Sequence, residues 1–329
     1  MPRAPLLALA GLSALATWCV QWPAQADPTD LPAPFAYNYG EVETTRSAAM
    51  AGAARALGNG TTAPFLNPAT MAMAQLYHIE ALGQWTPEAR RQVYGGAIVD
   101  STRRLAGSVA FVGGFVDPDG ADRSYLDLRV ALAFLIAKPI SIGLTGHYLN
   151  MEQQGLGPLG FSRASGGLLD ANDPPLGRSA IVNTISFDAG INIQATEGLH
   201  IGISGQNLTY PNNGFLPTVV GGGIGYGAQD FSVEVDGLAD FNSWTPITGR
   251  VMVGGEYLIA DHFPVRLGYR FDQGAMSHAV SGGFGYVDPR FSIEASVRRT
   301  LVGPSATSIV VGIAYFLESS GLISIEGQQ

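Results

Sequence analysis

The sequence predicts an all-β fold: a transmembrane antiparallel β-barrel of about 14 strands with an N-terminal hatch or plug segment. Three observations predict it. From Leu76 onward, segments of about ten residues alternate apolar with small or polar side chains, the period of a strand whose two faces differ. The connections alternate between tight and long, which puts short turns at one rim and loops at the other. The composition suits a wall between lipid and a crowded lumen: 14% of residues are charged, 46% are hydrophobic and 43 are glycine. A soluble chain carries about a quarter charged residues and about 7% glycine.

The first element is an export signal. Arg3 supplies the positive end of residues 1–26, Leu6 to Val20 the apolar run, and Ala24-Gln25-Ala26 the small-x-small cleavage site. Cleavage after Ala26 removes Arg3 and Cys19, so 17 of the 18 basic residues remain against 27 acidic ones. An exported chain without cysteine suits a bacterial envelope protein that needs no disulfide framework.

Residues 27–75 follow as the hatch. The run Ser47 to Leu57 is rich in alanine and predicts a short helix, which Gly58 stops. Its 11 residues cannot cross a bilayer, so this piece belongs inside the barrel or under its mouth. Asn67-Pro68 then begins a turn, with proline fixing φ and asparagine accepting local backbone bonds.

The barrel occupies residues 76–317, with segments near 76–85, 91–100, 105–116, 124–137, 140–151, 180–194, 198–207, 216–226, 229–240, 247–258, 264–272, 277–287, 290–300 and 306–317. In the fourth, Leu126, Leu128, Val130, Leu132, Phe134 and Ile136 share one face, while Asp127, Arg129, Ala131 and Ala133 share the other. Tight turns fall at 100–104, 138–139, 195–198, 227–230, 260–263 and 287–290. Most of the alternate connections are longer, and 152–179 is the longest. Aromatic residues at segment ends, such as Trp85, Tyr148, Tyr257 and Tyr286, match an interfacial girdle. A soluble sandwich would carry many outward charges, lysine above all, and Lys138 is the single lysine here. Residues 318–329 are left as a tail on the inner side of the membrane.

Two groups of residues carry a family likeness. The run Arg46-Ser47-Ala48-Ala49-Met50-Ala51-Gly52-Ala53-Ala54-Arg55-Ala56-Leu57, followed by Asn67-Pro68-Ala69-Thr70-Met71, resembles the N-terminal hatch of the FadL/TodX-type outer-membrane transporters of hydrophobic compounds. It is similar also to the PorV-like barrels that assist protein secretion. Gly205-Gln206-Asn207-Leu208, Gly254-Gly255-Glu256-Tyr257 and Arg266-Leu267-Gly268-Tyr269 resemble strand ends of the PorV-like group. The resemblance covers most of residues 46–317. It implies that Asn67, Pro68 and Ala69 belong to a gating hatch. It also implies that a kink at Gly113-Gly114 in the third strand opens a lateral gap for ligand.

The inner faces of the late strands bring together Glu234, Asp236, Arg250, Glu256, Arg266, Arg270, Glu294 and Arg298. They read as a structural ladder of paired charges, since an unpaired buried charge costs several kcal/mol; the other reading is a polar path or a hold on an anionic head group. Gly155 to Gly160 matches a dinucleotide fingerprint in letters only, because no strand–turn–helix context surrounds it. The five histidines stand in no metal-ligand spacing and no serine has a nucleophile context, so no metal, cofactor or enzyme activity is expected. The formal net charge of −9 and the lack of a basic stripe exclude nucleic acid.

The expected function is passage of hydrophobic or amphipathic, fatty-acid-like small molecules across the bacterial outer membrane, a substrate class that rests on the resemblance. The expected partners are outer-membrane lipid and such a ligand. A rival is a PorV-like scaffold for secreted or surface proteins, engaging a protein partner through loop 152–179. A third reading is a plain diffusion porin.

Overall fold

Alternation in the sequence becomes alternation in exposure along most of the described strands. In the third strand Val109 and Phe111 are 58% and 56% exposed, while Ala110 and Val112 between and beside them are fully buried. The computed structural model describes residues 42–58, 60–74, 76–116, 123–154, 178–210, 216–241, 243–244 and 246–317. The signal segment 1–26, hatch residues 27–41, most of loop 152–179 and the tail 318–329 lie outside the described residues.

The strands are β1 (Tyr77–Thr86), β2 (Arg91–Asp100), β3 (Leu105–Val116), β4 (Arg123–Ala137), β5 (Ile140–Gln154), β6 (Arg178–Thr196), β7 (Leu199–Gln206), β8 (Val219–Gly227), β9 (Phe231–Asp240), β10 (Thr248–Ile259), β11 (Phe263–Asp272), β12 (Ser277–Val287), β13 (Phe291–Val302) and β14 (Thr307–Leu317). Each pairs antiparallel with its neighbours, and β1 closes on β14 with Tyr77 opposite Leu317 and Trp85 opposite Ile309. Closure leaves no sheet edge and pairs the backbone between strands, as a bilayer demands. Both described ends of the barrel chain lie at the tight-turn rim. The outer apolar belt, which includes Val109, Phe111, Val130, Leu132 and Leu267, is larger than the patch a soluble monomer commonly exposes.

Every expected segment is a strand, and the departures have local causes. β8 begins at Val219 rather than 216, because Pro217 has no amide to give the ladder. β5 and β6 run on together to Gln154 and Arg178, beyond the expected 151 and 180. At the tight-turn rim Phe263 stacks on Phe284 and meets Tyr286 edge-on, with ring centroids 6.2 and 5.5 Å apart, which forms part of a girdle. At the other rim Glu88, in the β1–β2 turn, accepts hydrogen bonds from Thr307 N at 2.9 Å and Arg299 Nη1 at 2.5 Å and so staples the closing seam. Both side chains are substantially exposed. Glu88→Gln is therefore expected to lower stability by less than about 1 kcal/mol, measured by thermal unfolding in detergent.

The predicted helix from Ser47 to Leu57 is corrected by the structure. Only α1, Thr45–Ala49, forms, with Thr44 capping Ser47 N at 3.3 Å. Ala51 and Gly52 take φ of 56° and 92°, and the chain leaves the helix there, well before Gly58. The reason is tertiary. The amides of Ala54 and Arg55 donate to Asp236 Oδ2 at 3.1 Å each, and those of Ala56 and Leu57 donate to Glu234 at 2.5 and 3.0 Å. Two wall carboxyl groups, in place of helix carbonyls, accept from four consecutive amides. A second short helix, α2 (Ala63–Leu66), and a 3-10 turn over Pro68–Met73 complete the described hatch.

Lumenal glycines make room for this backbone. A side chain at Gly143 would strike Pro68 and Ala69, one at Gly190 would strike Asn67, and one at Gly202 would strike Arg55 O. On the opposite wall a Cβ at Gly254 would lie 2.6 Å from that of Met50. The hatch thus lies directly against the strands.

Candidate functional site

The hatch turns on Asn67, which is fully buried. Its Nδ2 donates to Arg55 O at 2.7 Å and to Ile191 O of β6 at 3.3 Å, while Oδ1 accepts from Ala69 N at 3.1 Å. One side chain joins two stretches of hatch to the wall. Pro68 starts the 3-10 turn without wasting an amide, and Ala69 O accepts from Ser141 Oγ of β5 at 2.9 Å. Thr70 Oγ1 lies 2.6 Å from Gly58 O and 2.8 Å from Asn67 O. Asn67→Ala would strip partners from buried groups, each worth about 1–3 kcal/mol when left unsatisfied. We expect a lower midpoint in a thermal shift of the detergent-purified barrel, with the strand content at low temperature unchanged by circular dichroism.

The late-strand charges do not form one ladder. They separate into groups, most of them fastened to the hatch. Glu234 and Asp236 hold the amides of residues 54–57, and Asp236 also pairs with the Arg55 guanidinium at 3.2 Å. Arg266 bonds Glu256 directly across the β10–β11 pair and reaches Glu294 at 2.7 Å. Arg46 of α1 approaches Glu256 at 3.4 Å, and Thr45 Oγ1 donates to Glu294 at 2.9 Å. Arg298 pairs with Glu43 of the hatch. Arg250 pairs with Asp272 at 2.9 Å, with Arg270 at 3.9 Å from the same carboxylate.

A further cluster was scattered in the sequence. Arg129 grips Asp127 at 2.7 Å and Asp188 at 3.4 Å, and His147 lies 3.6 and 3.4 Å from the same two carboxylates. All four side chains are buried. The Arg129 guanidinium sits 5.2 Å from the centroid of Phe65 in α2, so this cluster too holds the hatch. The inward parity of Asp127, His147 and Asp188 was readable, but their meeting depends on the register of β4, β5 and β6.

The lumen is two-sided. Along β2 to β6 its loop-rim half is lined by Val93, Val112, Tyr125, Leu149 and Met151, packed with Phe65 and Val42 of the hatch. Charged groups line β9 to β13, and the β2–β6 side also buries Arg91, Arg123, Asp127, Arg129, His147 and Asp188. Between the two sides lies a cavity of about 50 Å³ bordered by Phe65, Leu66, Met252, Arg55, Arg129 and Gln206. An engineered cavity of about 150 Å³ is what takes up benzene in a protein core. A molecule of that size does not fit between the two sides in this conformation.

The expected kink at Gly113-Gly114 is absent. β3 pairs without a register break to β2 on one side and β4 on the other through both glycines. Neighbours crowd the space a side chain would have used: a Cβ at Gly113 would lie 3.3 Å from Tyr125 O, and one at Gly114 would strike Gln92 O. These glycines therefore permit close strand packing and open no gap.

No family model matches the chain, and no curated protein does. Solved structures do resemble it. The toluene transporter TbuX of Ralstonia pickettii aligns with a TM-score of 0.60 and 14% identity over 86% of this chain and 100% of its own. The CymD monoaromatic hydrocarbon channel aligns at 0.58 and 17%, over 85% of this chain and 98% of its own. A Pseudomonas aeruginosa FadL homologue aligns at 0.59 and 14%, over 84% and 98% respectively. At these identities the chain shares their fold.

Proposed function

We propose that this protein carries hydrophobic or amphipathic, fatty-acid-like small molecules across the bacterial outer membrane, with residues 27–75 as the gate. The observation that carries the reading is the two-sided lumen shut by a buried hatch. The apolar cluster at the loop rim suits a hydrocarbon chain, the charges around it suit a polar end, and a hatch seated on glycines excludes water and ions. The similar structures described as hydrocarbon channels and a toluene transporter agree with this substrate class. In this reading a ligand enters from the loop rim onto Val93, Val112 and Met151. It then displaces the hatch about Asn67-Pro68-Ala69 and leaves toward the tight-turn rim. The closed wall at Gly113 and Gly114 favours that inward exit over a lateral one there. The remaining charged residues fasten the hatch and the wall. No catalytic group, cofactor or energy source enters the scheme.

The test is uptake of labelled toluene and of a labelled medium-chain fatty acid by cells with and without the gene. We expect deletion to slow uptake of at least one of them and the restored gene to recover it. Unchanged uptake of both, with a large protein co-purifying with the barrel, would favour the scaffold reading instead.

A further inference from the structure

The tight-turn rim carries its charges unevenly. Arg103 and Arg104 stand in the β2–β3 turn and Lys138 in the β4–β5 turn, all three exposed. The two turns are neighbours: Leu105 pairs with Phe134 across β3 and β4, and Leu135 N donates to Arg104 O at 3.1 Å. Three residues of chain, about 10 Å, then separate Leu135 from Lys138, a distance that two long side chains span. Among the described residues none of the three cations has an ion-pair partner. The carboxylate beside them, Asp100, accepts from Thr102 N at 3.1 Å and from Thr102 Oγ1 at 2.7 Å. The other four tight turns each carry a carboxylate, Glu197, Asp230, Asp261 and Asp288, against Arg290 and His262.

Directly above this basic pair of turns the outward face is apolar and exposed. Leu105, Phe134 and Ile142 form one cross-strand row, and Ile136 and Ile140 lie between that row and the Lys138 turn. Elsewhere on this rim the outward strand ends carry tyrosines: Tyr226 in β8, Tyr257 in β10, Tyr286 in β12 and Tyr315 in β14. A tyrosine anchors a barrel at the head-group level by its own amphipathic ring. Over β3 to β5 the three cations stand at that level instead. Cations that adjoin an exposed apolar row match an anionic amphiphile whose phosphate meets the turns while its chains run along the strands. A soluble phosphate would use the charges alone, and a zwitterionic lipid would bring a positive group against them.

We infer that the β2–β3 and β4–β5 turns hold the head group of an anionic phospholipid from the leaflet at the tight-turn rim, with its acyl chains on Leu105, Phe134 and Ile136. The site goes beyond the uptake reading and is tested without transport. The experiment is native mass spectrometry of the full detergent-purified chain, which keeps the carboxylates of residues 27–41 and 318–329 in place. The probes are dioleoyl phosphatidylglycerol, dioleoyl phosphatidylcholine and soluble glycerol phosphate. Phosphatidylglycerol is expected to bind about tenfold or more tightly than either of the others, since each basic residue near a lipid surface contributes about fivefold. Arg103→Gln, Arg104→Gln and Lys138→Gln combined should abolish the preference. Arg290→Gln, which deletes a like charge from the same rim, should keep it. Raised salt should weaken phosphatidylglycerol and leave phosphatidylcholine unchanged. Equal binding of the two lipids, glycerol phosphate binding as tightly as phosphatidylglycerol, or a preference undiminished in the triple variant overturns the inference. If the triple variant does not fold, the wild-type ranking and Lys138→Gln alone, expected to weaken phosphatidylglycerol severalfold, decide it. A failed uptake experiment would leave these binding results untouched.

Discussion

Replacing Asp236 by alanine is expected to release the hatch from β9 and to destabilise the protein by about 3–5 kcal/mol, the range for removing one partner of a buried ion pair. Asp236 is 1% exposed and serves three donors, the amides of Ala54 and Arg55 and the Arg55 guanidinium. Truncation leaves the 4%-exposed Arg55 without this carboxylate and strips two amides of their acceptor. Asp236→Asn should do less harm, because the amide oxygen still accepts while the charge is lost. The effect should be local: hydrogen exchange of the amides of residues 54–57 should accelerate strongly, whereas the ladder of β9 with β8 and β10 stays protected. Equal protection of residues 54–57 in wild type and Asp236→Ala would show that the wall carboxylates do not hold the hatch.

Gly190→Val should unseat the hatch from the opposite side. Gly190 is paired on both flanks, to Gly143 of β5 and Ser204 of β7, so the strand has little freedom to bulge. A Cβ there falls on the Asn67 side-chain oxygen and lies 3.3 Å from Pro68 Cδ. Overpacking of this kind costs about 1–3 kcal/mol, and moving Asn67 away also breaks its bonds to Arg55 O, Ile191 O and Ala69 N. The loosely framed partner is the hatch, so it should yield while the barrel persists. Liposome swelling with a small sugar is the readout: wild type should resist entry of the sugar, and Gly190→Val should admit it. Gly146→Ala serves as the control, because its added methyl meets only Phe187 at an ordinary 3.5 Å. Swelling that is identical in all three proteins would remove the hatch from any role in closing the lumen.

The strand pattern was legible because period two is a local signal. The segment expected at 264–272, for instance, is observed as Phe263–Asp272. The Asn67-Pro68 turn was legible for the same reason, since its chemistry lies within a few residues. What escaped were partnerships set by closure. Arg298 meets Glu43 across 255 positions, and Arg55 meets Asp236 across 181, distances over which no periodicity speaks. The alanine-rich run misled for a related reason: helix propensity amounts to a few tenths of a kcal/mol per residue, and two lumenal carboxylates override it. The glycines were misread in part. Gly113 and Gly114 suggested a kink and are plain ladder residues, while Gly143, Gly190 and Gly202 matter because the hatch backbone rests on them.

A seated hatch should close this barrel to water-borne solutes. Single-channel recording of the wild-type protein in planar bilayers tests it most directly. The membrane is expected to stay electrically silent, without stable conductance steps, although the protein is shown by its heat-dependent gel mobility to be folded and inserted. Regular, long-lived steps of porin size from the wild-type protein would contradict it.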